Sequence, residues 1–536
     1  MIGPAPGFAR PSFPVLAVAV AFACALALAL AGARHAQAAE PAEWIPVGDP
    51  IYRELEMLRA AGLADTSFAL FSRPLARKSA AAITARARRL HPDSREPSLV
   101  RLEREFAPEL VRKGYPRPPR TARPLAEIVN YDEGAESMRL RLQAYAEGAL
   151  LVSEEITEFE DRSRFGGRLN VETGGLLLHL DAYAGKVEDA TSFADPLVEG
   201  SDFAAYSEDT YGSYSTRYVD ATLGRSQFAW GPGATGSLLW SRTAAPVTFL
   251  SFSATLFRHV RATAIHADVD ATRDARLAGH RLEWFPSPRL TVGIAEAARY
   301  TSSHWEPLYV FSLLPYTWVQ RILAEDALDG TGTAESERNN VMGSLDVSWQ
   351  AARGHVLYGE FLLDDQGLSK GDQPTRIGYQ AGWLGTHPFR DGRVSARVEF
   401  SRVYNYVYSV FYGEDFIHHG KPIGYAVGPD SRSLVAEVWA DPTPDWEFRA
   451  GGGQVERGEG RLGTFYDPDS TVNASGSTLS GTVERERFVT GGARFWPWAA
   501  IDVSLDLAYV WTDNRGNVAG ADDREWRARV GVRLEK

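Results

Sequence analysis

Cysteine is almost absent from this chain. Its 536 residues hold one, Cys24, inside an apolar stretch from about Phe13 to Gly32. Arg10 precedes that stretch and Ala36-Gln37-Ala38 follows it, the layout of an export signal with an A-x-A cleavage site. The run is long enough for an anchor helix, but its flanks favour a signal peptide over residues 1–38. Ala21-Phe22-Ala23, just before Cys24, is a poor lipidation site. Cleavage after Ala38 leaves a mature chain without thiols, which excludes disulfide frameworks and cysteine chemistry.

Other absences narrow the field further. No second long apolar run exists, so no further transmembrane helix is expected. Positive charge is in deficit, 57 Lys and Arg against 69 Asp and Glu. Loss of Arg10 and Arg34 with the signal moves the formal charge from −12 to −14. A nucleic-acid partner is excluded on that balance. No repeat period appears, which argues against a propeller. His-Glu-x-x-His, Walker, Gly-x-Ser-x-Gly and Cys-x-x-Cys motifs are missing. The eleven histidines are scattered. Only His418-His419 are adjacent, and neighbours on a strand point to opposite faces. Asp467 and Asp469 are too few carboxylates for calcium, which takes six to eight oxygens. His179, His266 and His280 lie in strand-like segments, but nothing selects a serine partner for them. The chain therefore reads as a non-enzyme with no cofactor and no metal.

What is present is alternation. Met138, Leu140, Leu142, Ala144 and Ala146 alternate with Arg139, Arg141, Gln143, Tyr145 and Glu147. Ile501, Val503, Leu505, Leu507 and Tyr509 alternate with Asp502, Ser504, Asp506 and Ala508. This is the pattern of a strand with lipid on one side and water on the other. Aromatics gather at strand ends, as in Trp349, Tyr358, Trp498 and Trp511, where a membrane interface selects them. Short turns such as Pro286-Ser287-Pro288, Asp391-Gly392-Arg393 and Pro442-Thr443-Pro444-Asp445 contrast with long inserts at Val187–Tyr214, Ser302–Asn340, Tyr406–Ser431 and Gly458–Gly481. Short turns on one rim and long loops on the other mark an outer-membrane barrel. A transmembrane antiparallel β-barrel of 16 or 18 strands is expected over residues 137–536, with outer-membrane lipid and the barrel-assembly machinery as its partners.

Ahead of the barrel the period changes. Asp49 can cap a helix that opens on Pro50, carries Ile51, Leu55 and Leu58 on one face and ends at Gly62. A second helix is expected over Ala76–Leu90, with a basic face of Arg77, Lys78, Arg86, Arg88 and Arg89. A third is expected over Ser98–Lys113. Residues 39–114 thus form a small periplasmic helical bundle, and residues 115–136 a Pro-rich linker.

Several ordered segments carry a family likeness. They are Asp49-Pro50-x-Tyr52 with Ser72-Arg73-Pro74-Leu75, and Leu223-Gly224-Arg225 followed by Trp230-Gly231-Pro232-Gly233. Next come Gly236-Ser237-Leu238-Leu239, then Arg338-Asn339-Asn340 leading to Asp346, then Gly424-Tyr425 through Asp430-Ser431. Together they resemble the Wzi capsule assembly family of Gram-negative outer-membrane barrels. The resemblance implies 18 strands, a periplasmic helical bundle and a lectin-like role, holding capsular or exported polysaccharide at the cell surface. Barrels of this kind usually end on an aromatic residue; here Leu534 would stand in for it. A diffusion porin is the alternative. Gly231, Pro232 and Gly233 suit an architectural turn better than a ligand contact.

The long inserts are rich in aromatics. Residues Trp305–Gln320 read as a loop folded into the lumen as a plug, or as a platform on which sugar rings stack. The residues expected to touch polysaccharide are Trp305, Tyr309, Tyr316, Trp318, Tyr404, Tyr406 and Tyr412. For the Tyr404–Tyr412 group, interface belt and loop packing is the competing reading.

Overall fold

The computed structural model describes residues 43–535 except 65–68, 122–125, 134–135, 154–159, 162, 187–202, 217, 257–258, 271–273, 312–313, 329–338, 365–373, 387–392, 411–414 and 465–477. The expected signal peptide, Asp467, Asp469 and Tyr412 fall outside them. Eighteen antiparallel strands close into a barrel. They are β1 (Glu136–Ser153), β2 (Arg164–Thr173), β3 (Leu176–Lys186), β4 (Phe203–Ser215), β5 (Val219–Ser226) and β6 (Val247–Leu256). Next come β7 (Val260–Asp268), β8 (Ala275–Ser287), β9 (Leu290–Thr301), β10 (Asn340–Ala352), β11 (His355–Asp364) and β12 (Ile377–Thr386). The set ends with β13 (Val394–Val403), β14 (Ser431–Thr443), β15 (Trp446–Arg457), β16 (Glu484–Trp498), β17 (Ile501–Asp513) and β18 (Asp523–Glu535).

Closure leaves no unpaired edge, which a strand crossing lipid requires. β18 pairs with β1 from Arg527↔Ser153 to Glu535↔Tyr145. β1 is long enough that its first residues, Glu136 to Leu142, pair instead with a strand over Ala126–Glu133. Part of the expected linker of residues 115–136 is thus strand, because this segment finds hydrogen-bonding positions beside β1. Alternation sets the faces. Leu345, Val347, Leu434, Val438, Leu505, Leu507, Val530 and Val532 point outward and are exposed, forming the apolar band of a membrane barrel. The expected insert from Val187 is also shorter than predicted, since β4 already runs from Phe203.

Four helices sit across the short-turn rim: α1 (Ile51–Ala60), α2 (Arg77–Leu90), α3 (Pro97–Glu105) and α4 (Ala107–Arg112). The Asp49 carboxylate accepts the Ile51 N–H at 2.9 Å, as a start signal should. The third expected helix is split into α3 and α4. Pro108 lacks an N–H, so the helix breaks and restarts at Phe106–Ala107. Leu55, Leu58, Ala81, Leu99, Leu102 and Phe106 form the bundle core. On the basic face of α2, Arg77 reaches Glu105 and Glu109 and Arg88 reaches Glu103 within the bundle.

Arginines also dock the bundle onto the barrel. Arg101 meets Asp441 at 2.5 Å and Arg104 meets Asp445 at 2.6 Å. Arg59 donates to Ser348 Oγ at 2.9 Å, and Arg53 pairs with Glu447. Burial alone would raise the Glu54 carboxyl, but Arg101 and Arg53 beside it hold it down at about 2.

Candidate functional site

Residues 227–246 join β5 to β6 and turn down into the lumen. They are built from small residues around two tryptophans. Trp230 and Trp240 pack at 5.2 Å, and the Trp230 N–H donates to the Trp240 carbonyl at 2.9 Å. A loop inside a barrel must satisfy its backbone there, and the wall supplies carboxylates for it. Glu360 Oε1 accepts the Leu238 N–H at 2.9 Å. Glu399 accepts the N–H groups of Ala234 and Thr235 at 2.7 and 2.8 Å. Gly231 has φ +122°, and a Cβ there would lie 2.6 Å from Glu360 Oε2. At Gly233 a Cβ would lie 2.2 Å from Gln380 Oε1. The glycines allow the loop to approach its wall.

The chain also reaches the loop from the opposite rim. Residues Ser72–Arg73 pair with Ala229–Trp230, and the Gly231 N–H donates to the Phe71 carbonyl at 2.9 Å. Arg281 on β8 locks this junction. It donates to Ser72 Oγ at 2.9 Å and to both Asp346 oxygens at 2.5 and 3.0 Å. Arg281 and Asp346 are each 1% exposed. A third segment, residues 404–410 and 415–430, closes over the top. The Tyr408 hydroxyl donates to the Leu238 carbonyl at 2.5 Å, and His418 Nε2 lies 3.2 Å from the Pro246 carbonyl. The Asp270 N–H donates to His418 Nδ1 at 3.3 Å, so His418 is held neutral. Burial, then the neighbouring His419, pushes it down to about 4. Along β8–β14 these segments pack the middle of the lumen, and a cavity of about 680 Å³ remains below them, lined by Leu63, Thr255, Arg261, Phe285 and Gln350 among others.

Along β15–β18 and β1–β2 the middle is less filled. Inward positions at mid-height are small: Gly451, Gly492, Thr490, Ser504, Ala508 and Gly531. Arginines stand between them at every level. Arg494 and Arg533 lie near the short-turn rim, Arg449 and Arg529 at mid-height, and Arg527 toward the loop rim. The Arg449 side chain is 41% exposed and that of Arg527 50%. Arg449 pairs with Asp506, Arg494 with Asp502 and Arg533 with Glu147. A cavity of about 560 Å³ is lined by Arg164, Arg494, Arg529, Arg533, Asp502 and Tyr183, among others.

The aromatic insert behaves differently from its expectation. It holds two helices, α5 (Pro307–Phe311) and α6 (Tyr316–Leu328). They do not fill the lumen. They pack on the outward face of β7–β9, because the residues they cover share the parity of the exposed wall residue Leu282. Tyr309 and Tyr316 are buried, and Trp305 is half-buried. Tyr309 stacks on Tyr300 at 4.6 Å, Tyr316 meets His280 at 4.3 Å, and Trp305 meets His266 at 4.4 Å while donating to Asp268 at 2.8 Å. Trp318 is 57% exposed. In the other group, Tyr404 is half-buried beneath Arg402, and Tyr406 is buried with φ +68°. The structure brings Trp305, Tyr309 and Tyr316 into one cluster and leaves Tyr404 and Tyr406 apart from it.

Sequence reasoning missed the 227–246 plug and its holders Glu360 and Glu399. The density of Gly and Ala between Trp230 and Trp240 was the available signal. It also missed the arginine-lined side, where the signal was alternating arginine in Glu525–Arg533.

A family model for capsule assembly protein Wzi matches residues 132–514. The chain belongs to the Wzi capsule assembly family. Together with the outward apolar band, this places it in the Gram-negative outer membrane. Among solved structures it is similar to Wzi of Escherichia coli, described as a carbohydrate-binding β-barrel involved in group 1 capsule assembly. The two are 15% identical with a TM-score of 0.60, over 92% of this chain and 99% of that one. It is also similar to the outer-membrane protein OprD of Pseudomonas aeruginosa, at 12% identity and TM-score 0.42, over 74% and 94%. No curated relative matches.

Proposed function

We propose that this protein holds capsular or exported polysaccharide at the cell surface and does not cleave it. The observation that carries the reading is the half-filled lumen. A porin needs a clear passage, yet Trp230, Trp240 and Tyr408 fill one side of this barrel with packed side chains. The other side keeps guanidinium groups in water. Arginine forks pair with carboxylates and hydroxyls without needing a closed pocket. Weak contacts repeated along a polymer retain it by multivalency. The helical bundle α1–α4 is proposed to face the periplasm, since both chain ends of such barrels emerge at the short-turn rim. Outer-membrane lipid surrounds the wall, and the barrel-assembly machinery is the partner that inserts it.

Polymer retention by cells tests the proposal. Replacing Arg449, Arg527 and Arg529 together with Gln should release polymer to the medium while its synthesis and the amount of folded barrel stay unchanged. Full retention by the triple variant would overturn the arginine contact. Shortening of the polymer by purified protein would overturn the claim that it is not an enzyme.

A further inference from the structure

Strand register gives every wall residue a face. On β8 and β9 the pair Leu282↔Ile294 is exposed on the outside of the barrel, with Trp284 next below it. The same parity runs upward, without a register shift, through His280↔Glu296, Ala278↔Ala298 and Arg276↔Tyr300. These residues too point away from the lumen. A tilted strand crosses the hydrocarbon in roughly 9–11 residues. Counted up from Trp284, that length takes in His280 and Ala278.

This stretch of wall is badly made for lipid. His280 Nε2 lies 3.5 Å from Glu296 Oε2. An ionisable side chain on the lipid face is destabilising, most at the midplane and less toward the interface. The insert covers the defect. The Tyr316 N–H donates to Glu296 Oε2 at 2.8 Å, and its ring lies on His280. Leu308, Tyr309 and Val319 pack over Ala278 and Ala298. Asn339 Nδ2 donates to the Tyr309 hydroxyl at 2.8 Å and ties the returning chain to the cluster. Thr317 and Trp318 are left facing away from the wall, both exposed. They continue the exposed apolar band of Leu282, Ile294 and Leu345 at its upper margin. Tryptophan is the residue an interface of headgroups and acyl chains selects.

We propose that α5 and α6 form an external flap that lies in the outer leaflet, with Trp318 seated in lipid at the headgroup boundary. The flap replaces the missing upper part of the lipid-facing wall between β7 and β9. This goes beyond the polysaccharide reading and takes Trp318 out of the set of sugar contacts.

The test uses the full chain with Cys24→Ala, reconstituted in lipid bilayers, with single cysteines carrying an environment-sensitive fluorophore. Labels go at Trp318→Cys and, as a second site on the same helix, Thr317→Cys. Leu507→Cys on the bare wall is the lipid reference, and Val518→Cys in an outer loop is the water reference. The flap proposal expects the 318 label to emit to the blue of the 518 label. Nitroxide-bearing lipids should quench it about as strongly as the 507 label, with little quenching by aqueous iodide. Iodide quenching equal to that at 518, with none from lipid, would overturn it. So would iodide quenching relieved by added polysaccharide, which would make this a sugar surface. Heat-modifiable migration on gels confirms that each variant is folded.

Discussion

Two inserts leave the same rim of this barrel and go opposite ways. Residues 227–246 turn inward, and α5 and α6 of the later insert fold over the outside. The inward loop is glycine- and alanine-rich and makes little secondary structure of its own. Its backbone N–H groups are satisfied by Glu360 and Glu399 on the wall. The outward insert pairs backbone within its two helices, anchors the Tyr316 N–H on Glu296, and lays Trp305, Tyr309 and Tyr316 on the wall. The difference teaches that the wall decides where a loop goes. A wet, acidic inner wall holds a loop by its amides. An outer wall facing hydrocarbon accepts only a segment whose amides are already paired.

The comparison breaks most severely at Arg281. Arg281→Ala leaves Asp346 and Glu283 buried without their cation, a change worth roughly 3–5 kcal/mol. The temperature at which the folded gel band converts to the unfolded one should fall steeply, and the lumen should leak ions in planar bilayers. An unchanged conversion temperature would mean that the inward junction adds nothing to stability.

Within the outward insert the effects should split. Tyr316→Ala removes a buried aromatic and should cost about 3–5 kcal/mol, seen as protease access to α6. Trp318→Ala, on the same helix, should stay within about 0.5 kcal/mol in detergent. Equal losses would mean that Trp318 is packed against protein.

A smaller effect is expected at Gly231. Gly231→Ala puts a methyl group against Glu360 and a side chain at positive φ, at about 1–3 kcal/mol. Single-channel recording should show intermittent opening of the packed side. Gly531→Ala faces the open, arginine-lined side and should not gate it.

Acid should loosen the two closures over different ranges. Glu54 is held at about 2 in the folded protein, below its ordinary 4.5. The unfolded state binds more protons between those values, so this contribution is complete above about 4.5 and is lost as pH falls toward 2. His418 is depressed from 6.5 to about 4. Its contribution is complete above 6.5 and fades as pH falls to 4. Conductance and protease access measured from pH 7 downward should therefore change first at the closure that holds His418 and later at the helical bundle. Simultaneous change, or none, would remove these two groups as the cause.

The strand segments were legible because side-chain direction on a strand has period two, and one face here meets lipid. Leu505, Leu507 and Asp506 declare their faces within three residues. The start of α1 was legible from Asp49 and Pro50, and the family from ordered segments such as Trp230 to Gly233. The break at Pro108 was present in the sequence and was overridden by the apolar stripe on either side of it. The polysaccharide residues were read from aromatic density alone, which does not distinguish a ring offered to a ligand from one packed on a wall.

By itself, then, the sequence determined the barrel, its two unlike rims and the helices at its start, since each rests on neighbours within a few residues. Only the tertiary structure decided which side of the lumen is packed and which insert turns inward. The reason is distance along the chain. The Leu238 amide is answered by Glu360, 122 residues away, and the Thr235 amide by Glu399, 164 residues away. No local pattern encodes that a loop and its wall will meet. It follows from barrel closure, which sets the parity and height of every inward carboxylate at once.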